Sequence, residues 1–243
     1  MEILNQFLSG RSGAFVYLAK RNDVLGVYKS NVKNTSGIIE LTKKLPFASP
    51  EIYDVTESSI FMEYIDGEPI KNVLLNSDNL VVNIITDYIC NYIDFSLSSS
   101  TGIKDFSDVI TDKITYLSSW ISENKFHGIP VNNPKTLVHG DFTFDNLIYK
   151  NGKIYMIDCS PTDFDSIYYD INKLRQDLTG RWFVRNEQST LPYKPYCDKI
   201  YNNVNAEFPN IFHDATYNLM VARILPYCEK NVYDKEYILN MIK

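Results

Sequence analysis

Four polar residues in one short stretch, His139, Asp141, Asn146 and Asp158, have types and spacings that can do chemistry. Asn146 and Asp158 carry an amide and a carboxylate, and the residues between them read as a hairpin. Residues 147–150 and 153–157 are apolar-rich runs separated by Asn151-Gly152, and this dipeptide suits a type I′ turn because both of its central residues need φ > 0. Pairing Lys150 with Lys153 and counting back along the ladder sets Asn146 opposite Ile157 and Asp145 opposite Asp158. Asn146 and Asp158 then converge at the open end. Together they offer hard oxygen donors of the kind Mg²⁺ takes, since that ion keeps several waters and completes its shell from substrate phosphates.

Asp141 lies five residues before Asn146, on the irregular segment that feeds the hairpin. His139-Gly140-Asp141, the step to Asn146 and the later Ile157-Asp158 together resemble the catalytic and metal segments of the aminoglycoside phosphotransferase and choline kinase family. The resemblance implies an α+β, two-lobed protein-kinase-like fold. A small antiparallel β-sheet lobe would span residues 1–65 and a mainly helical lobe residues 66–243. It further implies ATP-dependent phosphorylation of a hydroxyl on a small molecule, a sugar or related metabolite first, an amino alcohol or aminoglycoside next. Asp141 would be the base, Asn146 and Asp158 would hold Mg²⁺, Lys29 would contact the nucleotide, and His139 and Asp170 would brace the loop. Protein kinases have Arg where Gly140 stands and Phe-Gly where Cys159-Ser160 stands, and no Ala-Pro-Glu segment follows Asp158, so the small-molecule branch is favoured. A lone His-x-Asp or Asn-Gly hairpin is mostly structural; four polar positions in register with one hairpin are not expected from structure alone.

The elements that must position these residues begin with three expected strands, 3–8, 14–19 and 24–30. The loop between the first two carries Gly10 and Gly13, whose backbone N–H groups could approach phosphate oxygens, although two glycines in a hairpin loop are more often plain turn residues. Lys29 ends the third strand. Residues 35–45 read as a helix with Thr35 or Ser36 as cap. By the resemblance its Glu40 would pair with Lys29, with Glu51 as the fallback. Strands at 51–56 and 59–65 follow, and Glu63, Tyr64 and Ile65 resemble the hinge whose backbone meets the adenine edge, with the lobe boundary at residues 64–67.

Beyond the hinge the pattern turns helical, with apolar stripes through residues 80–93 and 106–121, both read as core. Asp170 opens a further helix, where an acidic residue also suits the helix dipole. Helices through 198–208 and 213–230 complete the chain, with Pro226 kinking or ending the last. Arg175, Arg181, Arg185 and Arg223 are assigned to the surface by default, and His127 and His213 to structural roles.

A chain of 243 residues that is 44% hydrophobic can bury a large core. No run approaches a membrane span, and the first residues lack a signal-peptide pattern, so a cytoplasmic protein is expected. A net charge of −6 argues against a nucleic-acid partner. Four scattered cysteines read as free thiols. A non-catalytic nucleotide-binding module is the first rival reading, but every metal and base position is filled. A metal-dependent phosphohydrolase is the second, and three histidines are few for a two-metal site.

Overall fold

The computed structural model describes residues 1–7, 13–75, 79–229 and 231–243. The first lobe is a five-stranded antiparallel sheet of β1 (Glu2–Gln6), β2 (Phe15–Arg21), β3 (Val24–Ser30), β4 (Ile52–Val55) and β5 (Ser59–Glu63), ordered β1-β2-β3-β5-β4. The β2–β3 hairpin turns at Asn22 and Asp23, both at positive φ, and so sets Lys29 opposite Val16. Helix α1 (Thr35–Lys44) crosses the sheet between β3 and β4. Its cap is Asn34, whose side chain accepts from the Gly37 N–H, and not Thr35 or Ser36; the Thr35 hydroxyl donates to the Thr56 carbonyl instead.

The second lobe starts with β6 (Glu68–Pro69), α2 (Ile70–Leu75) and α3 (Asn79–Ser98). Strand β7 (Ile103–Asp105), α4 (Ser107–Leu117) and β8 (Asn132–Pro134) lead to the hairpin of β9 (Leu147–Lys150) and β10 (Lys153–Met156). That hairpin has the register expected from Asn151-Gly152: Lys150 faces Lys153, and the Ile157 N–H donates to the Asn146 carbonyl at 3.0 Å. Strand β6 adds to its β9 edge, a pairing not anticipated from sequence. Helices α5 (Ile167–Gly180), α6 (Lys194–Glu207), α7 (Asp214–Ala222) and α8 (Val232–Met241) follow. Pro226 lies in a short 3₁₀ turn beyond α7, which ends before it.

Two apolar clusters fill this lobe. One gathers α3, α6, the hairpin and one side of α5; the other gathers α4, α7, α8 and Tyr169 of α5. Helix α5 is therefore buried nearly all round, yet Asp170, Asn172, Lys173, Arg175, Gln176 and Asp177 sit on it. Burying polar groups costs free energy unless partners are supplied, and the partners of several are the backbone of the segment carrying Asp141. None of the four cysteines is in a disulfide, which agrees with the expected thiols, and all four are buried. Among the described residues no helix is long and apolar enough to cross a membrane.

Two stretches of backbone fasten the lobes together. Residues 64–67 make the chain crossover, and residues 45–48 press into the helical lobe. Phe47 sits edge-on to Tyr88, Tyr92 and Phe95 of α3, with ring centroids 5.3, 5.6 and 5.7 Å away. The Met156 N–H donates to the Ala48 carbonyl at 2.8 Å.

Candidate active site

The loop from His139 to Asn146 is held from three sides. The buried Asp170 carboxylate accepts from the N–H groups of Gly140 (3.1 Å) and Phe142 (3.3 Å) and from the Tyr92 hydroxyl (2.6 Å). Tyr92 in turn accepts the His139 N–H at 2.6 Å, and its ring stacks on Phe142. Burial and the adjacent Asp170 charge push the Tyr92 hydroxyl well above its usual range, keeping it a donor. The His139 ring bridges the strands: Nδ1 accepts from the Asp141 N–H, and Nε2 lies 2.7 Å from the Ile157 carbonyl, so Nε2 carries the proton. His139 and Asp170 thus both hydrogen-bond the backbone around this loop.

Gly140 has φ +86°, and a Cβ there would lie 1.7 Å from the Ser160 carbonyl oxygen. Neither the arginine of the protein-kinase pattern nor any other side chain fits that position. Lys173 donates to the Gly140 carbonyl and lies 3.5 Å from Asp170. Burial lowers its pKa while Asp170 opposes the shift. One turn further on, Asp177 accepts the Phe144 N–H at 2.8 Å and the Phe183 N–H at 3.2 Å, anchoring the turn that presents Asn146. Burial, then the Asp145 charge, pushes the Asp177 carboxyl up.

Asp141 projects from this platform. Arg223 Nη2 lies 2.9 Å from its Oδ1, and Asn146 Nδ2 donates to its carbonyl at 2.7 Å and to Oδ2 at 3.3 Å. Burial would raise the Asp141 pKa, but the charges of Arg223 and Lys173 outweigh it and hold the carboxyl below the usual range. With its nitrogen committed to Asp141, the Asn146 amide keeps its oxygen for another partner. Asp158 follows the hairpin at φ 62° and receives Lys29 Nζ on Oδ1 at 2.7 Å. Oxygen donors from Asn146 and Asp158 suit Mg²⁺, and the Lys29 ammonium already places a positive charge against that carboxylate. Among the described residues no group of three or more His, Cys, Asp or Glu side chains could hold a metal. A cation here would take its remaining ligands from water or phosphate.

Two cavities meet at Asp158. One, of about 300 Å³, lies between the sheet and the hairpin and is lined by Val16, Lys29, Ile38, Ile60, Met62 and Met156. The other, of about 550 Å³, lies in the helical lobe and is lined by Asp141, Asn146, Gln176, Trp182 and Arg223 among others. Asp158 lines both. At the hinge the Glu63 N–H donates to the Glu51 carbonyl, and no described residue accepts the Ile65 N–H. Gly13 has φ 79° and open space around it, while Gly10 lies outside the described residues.

Several expectations are corrected. Glu40 does not meet Lys29; it is exposed and pairs with Lys44 at 2.6 Å. The cause is helix phase: Ile38 and Thr42 face the cleft, and a residue two positions from each points away. Glu51 does not replace it either, since Lys29 pairs with Asp158. Arg175 is not at the surface but buried against Asp214 and over the Tyr217 ring. Arg185 is part-buried on Asp234 and Trp182, and Arg223 sits on Asp141. Tyr92, Lys173, Gln176, Asp177 and Arg223 were missed as site residues. The spacing Asp170, Lys173, Asp177 puts three charges on one helix face, a signal that was there to read.

Comparison with known proteins agrees with this geometry and with the resemblance drawn from sequence. Residues 117–198, which include the whole loop and hairpin, match the phosphotransferase enzyme family known as APH. The fold is the protein-kinase-like fold of the aminoglycoside phosphotransferases. Apo APH(4)-Ia, solved as a thermostable mutant, superposes with a TM-score of 0.66 at 12% identity, over 100% of this chain and 94% of that one. The same enzyme in a ternary complex with ADP and hygromycin B superposes at 0.63 and 12% identity, over 99% and 93% of the two chains. Among curated proteins, the chain is 28% identical over 163 residues to the uncharacterized MG356 homolog of Mycoplasma pneumoniae (61% of this chain, 53% of the relative). It is 29% identical over 130 residues to the EKC/KEOPS complex subunit BUD32 of Enterocytozoon bieneusi (54% and 51%). The chain thus spans about half the length of the curated relatives it matches.

Proposed function

We propose that this chain transfers the γ-phosphoryl group of ATP to a hydroxyl of a small molecule, a sugar or related metabolite. The observation that carries the reading is the shared wall at Asp158. A cavity with Lys29 opens on one side of it, and a cavity with Asp141 and Asn146 on the other, the layout a donor and an acceptor need to meet in line. The ADP-bound aminoglycoside phosphotransferase that shares the fold supports a nucleotide in the first cavity.

In this reading residues 1–65 form the nucleotide lobe, with Lys29 and Gly13 near the phosphates and the 63–65 backbone at the adenine edge. Residues 66–243 form the catalytic and acceptor lobe. Asp141, kept ionised by Arg223, accepts the proton of the acceptor hydroxyl as its oxygen bonds to phosphorus and the bridge to ADP breaks. Asn146 and Asp158 would hold Mg²⁺, which supplies charge neutralisation on the phosphates. Asp170, Tyr92, His139 and Asp177 fix the loop so that the base needs no reorganisation.

The test is ADP release by the full chain with Mg·ATP, measured with and without an acceptor panel and repeated with Asp141→Asn. Acceptor-dependent release that Asp141→Asn suppresses is expected. Release at one rate whatever the acceptor would indicate a phosphohydrolase. Mg·ATP binding without any release would indicate a nucleotide-binding module.

A further inference from the structure

The cavity beside Asp141 carries more cations than the reaction calls for. Lys113 of α4, Lys173 of α5, Arg185 and Arg223 come from four separate segments and all line it. Its carboxylates are Asp141, Asp145 and Asp158, of which the first and last belong to the base and the metal. Asp170 and Asp234, which pair with Lys173 and Arg185, are not part of the lining. Lys113 has no carboxylate partner among the described residues and lies 5.5 Å from the centre of the Tyr116 ring.

A second observation is independent of charge. Gln176 is 3% exposed and lines the same cavity, and its side-chain oxygen is buried without a hydrogen-bond partner. The Arg223 Nε is buried and unpartnered as well. Buried polar atoms without partners are uncommon and costly, and a pocket that collects them is short of a polar ligand. Phe164, Trp182 and Tyr227 supply flat walls around these groups.

Resting on the kinase reading above, we propose that the acceptor is a small hydroxylated anion, whose carboxylate or phosphate is received by Lys113 and Arg223 while its hydroxyl meets Asp141. A choline-like or aminoglycoside acceptor would instead bring ammonium groups beside Lys113, the cation of this lining that has no carboxylate partner among the described residues.

The experiment is ADP release by the full chain across four matched sets of probes. These are gluconate and glycerate, glucose 6-phosphate and glycerol 3-phosphate, glucose and glycerol, and choline and kanamycin. Anionic probes are expected to give the highest kcat/KM, with the first two sets separating carboxylate from phosphate. Lys113→Met should raise KM for the preferred anion roughly tenfold with kcat little changed, as loss of one charge-assisted contact does, and should leave KM for its neutral counterpart where it was. Higher kcat/KM for glucose, glycerol, choline or kanamycin overturns the inference and leaves the kinase reading standing. If none of these probes is phosphorylated, the kinase reading rests on the wider acceptor panel and the inference on binding. Calorimetry of gluconate, glucose 6-phosphate and glucose with protein, Mg²⁺ and a non-hydrolysable ATP analogue then decides the inference, which fails if the anions bind no more tightly than glucose.

Discussion

Lys29 Nζ and Asp158 Oδ1 lie 2.7 Å apart, joining the third strand of the sheet to the end of the β9–β10 hairpin across the cleft. The lysine thus takes as partner the carboxylate proposed to bind metal, while the helix residue suggested by sequence, Glu40, points away. Lys29→Met should raise KM for ATP and depress kcat, while Glu40→Gln and Lys20→Met, whose exposed pairs lie elsewhere, should leave both unchanged. Steady-state kinetics at varied ATP check the ranking, and equal loss in Lys20→Met would overturn the strand register as the basis of the assignment.

Asp141→Asn should lower turnover by about 10²-fold or more with little change in nucleotide affinity, since a general base typically contributes about 10²–10⁴. Asn keeps the shape and a hydrogen bond to Arg223 but cannot take a proton. Near-normal turnover would remove Asp141 from the mechanism.

The pH profile follows from the same contact. The Asp141 carboxyl is depressed in the fold, so its contribution is present above that lowered value and is lost as pH falls through it. Arg223→Gln removes the strongest depressing charge, and the acid limb of kcat/KM should therefore move to higher pH. An unmoved limb would show that a different group sets it.

Asp158→Ala should abolish Mg²⁺-dependent turnover, whereas Asn146→Ala should be milder and respond to Mn²⁺, because water can replace a neutral amide oxygen more readily than a carboxylate. Metal titrations of both variants, read as nucleotide binding and as rate, test the order. The reverse order would exchange their roles.

Tyr92→Phe removes one buried hydroxyl that serves two partners, the His139 N–H and the Asp170 carboxylate. Leaving a buried donor unmet costs about 1–3 kcal/mol, so chemical denaturation should show a loss of that size. The activity of the remaining folded protein should fall in kcat more than in KM, because the loop that shifts carries the base.

The hairpin was the most readable part of the chain, because Asn151-Gly152 fixes a turn and a turn fixes a register. The five-residue step from Asp141 to Asn146 and the opening of α5 by Asp170 are likewise local, and spacing exposes them. Arg223 was not readable: it lies 82 positions from Asp141, and only the packing of α7 against α5 brings the two together. Tyr92 sat within an apolar stripe and was read as core. It is core, and its hydroxyl alone carries the further role. Glu40 failed for the opposite reason, since being the one acid in its helix said nothing of which way that helix is turned.

Phe47 among the rings of α3, with the Ala48 carbonyl on Met156, makes a second fastening besides the 64–67 crossover. A swing of the sheet against the helices about those two contacts keeps both of them, whereas a slide or a lift breaks them. The Phe47 contact bears on Tyr92, which also holds the His139 backbone, so that fastening lies beside the loop that carries Asp141. Such a swing leaves Asp141 where it is.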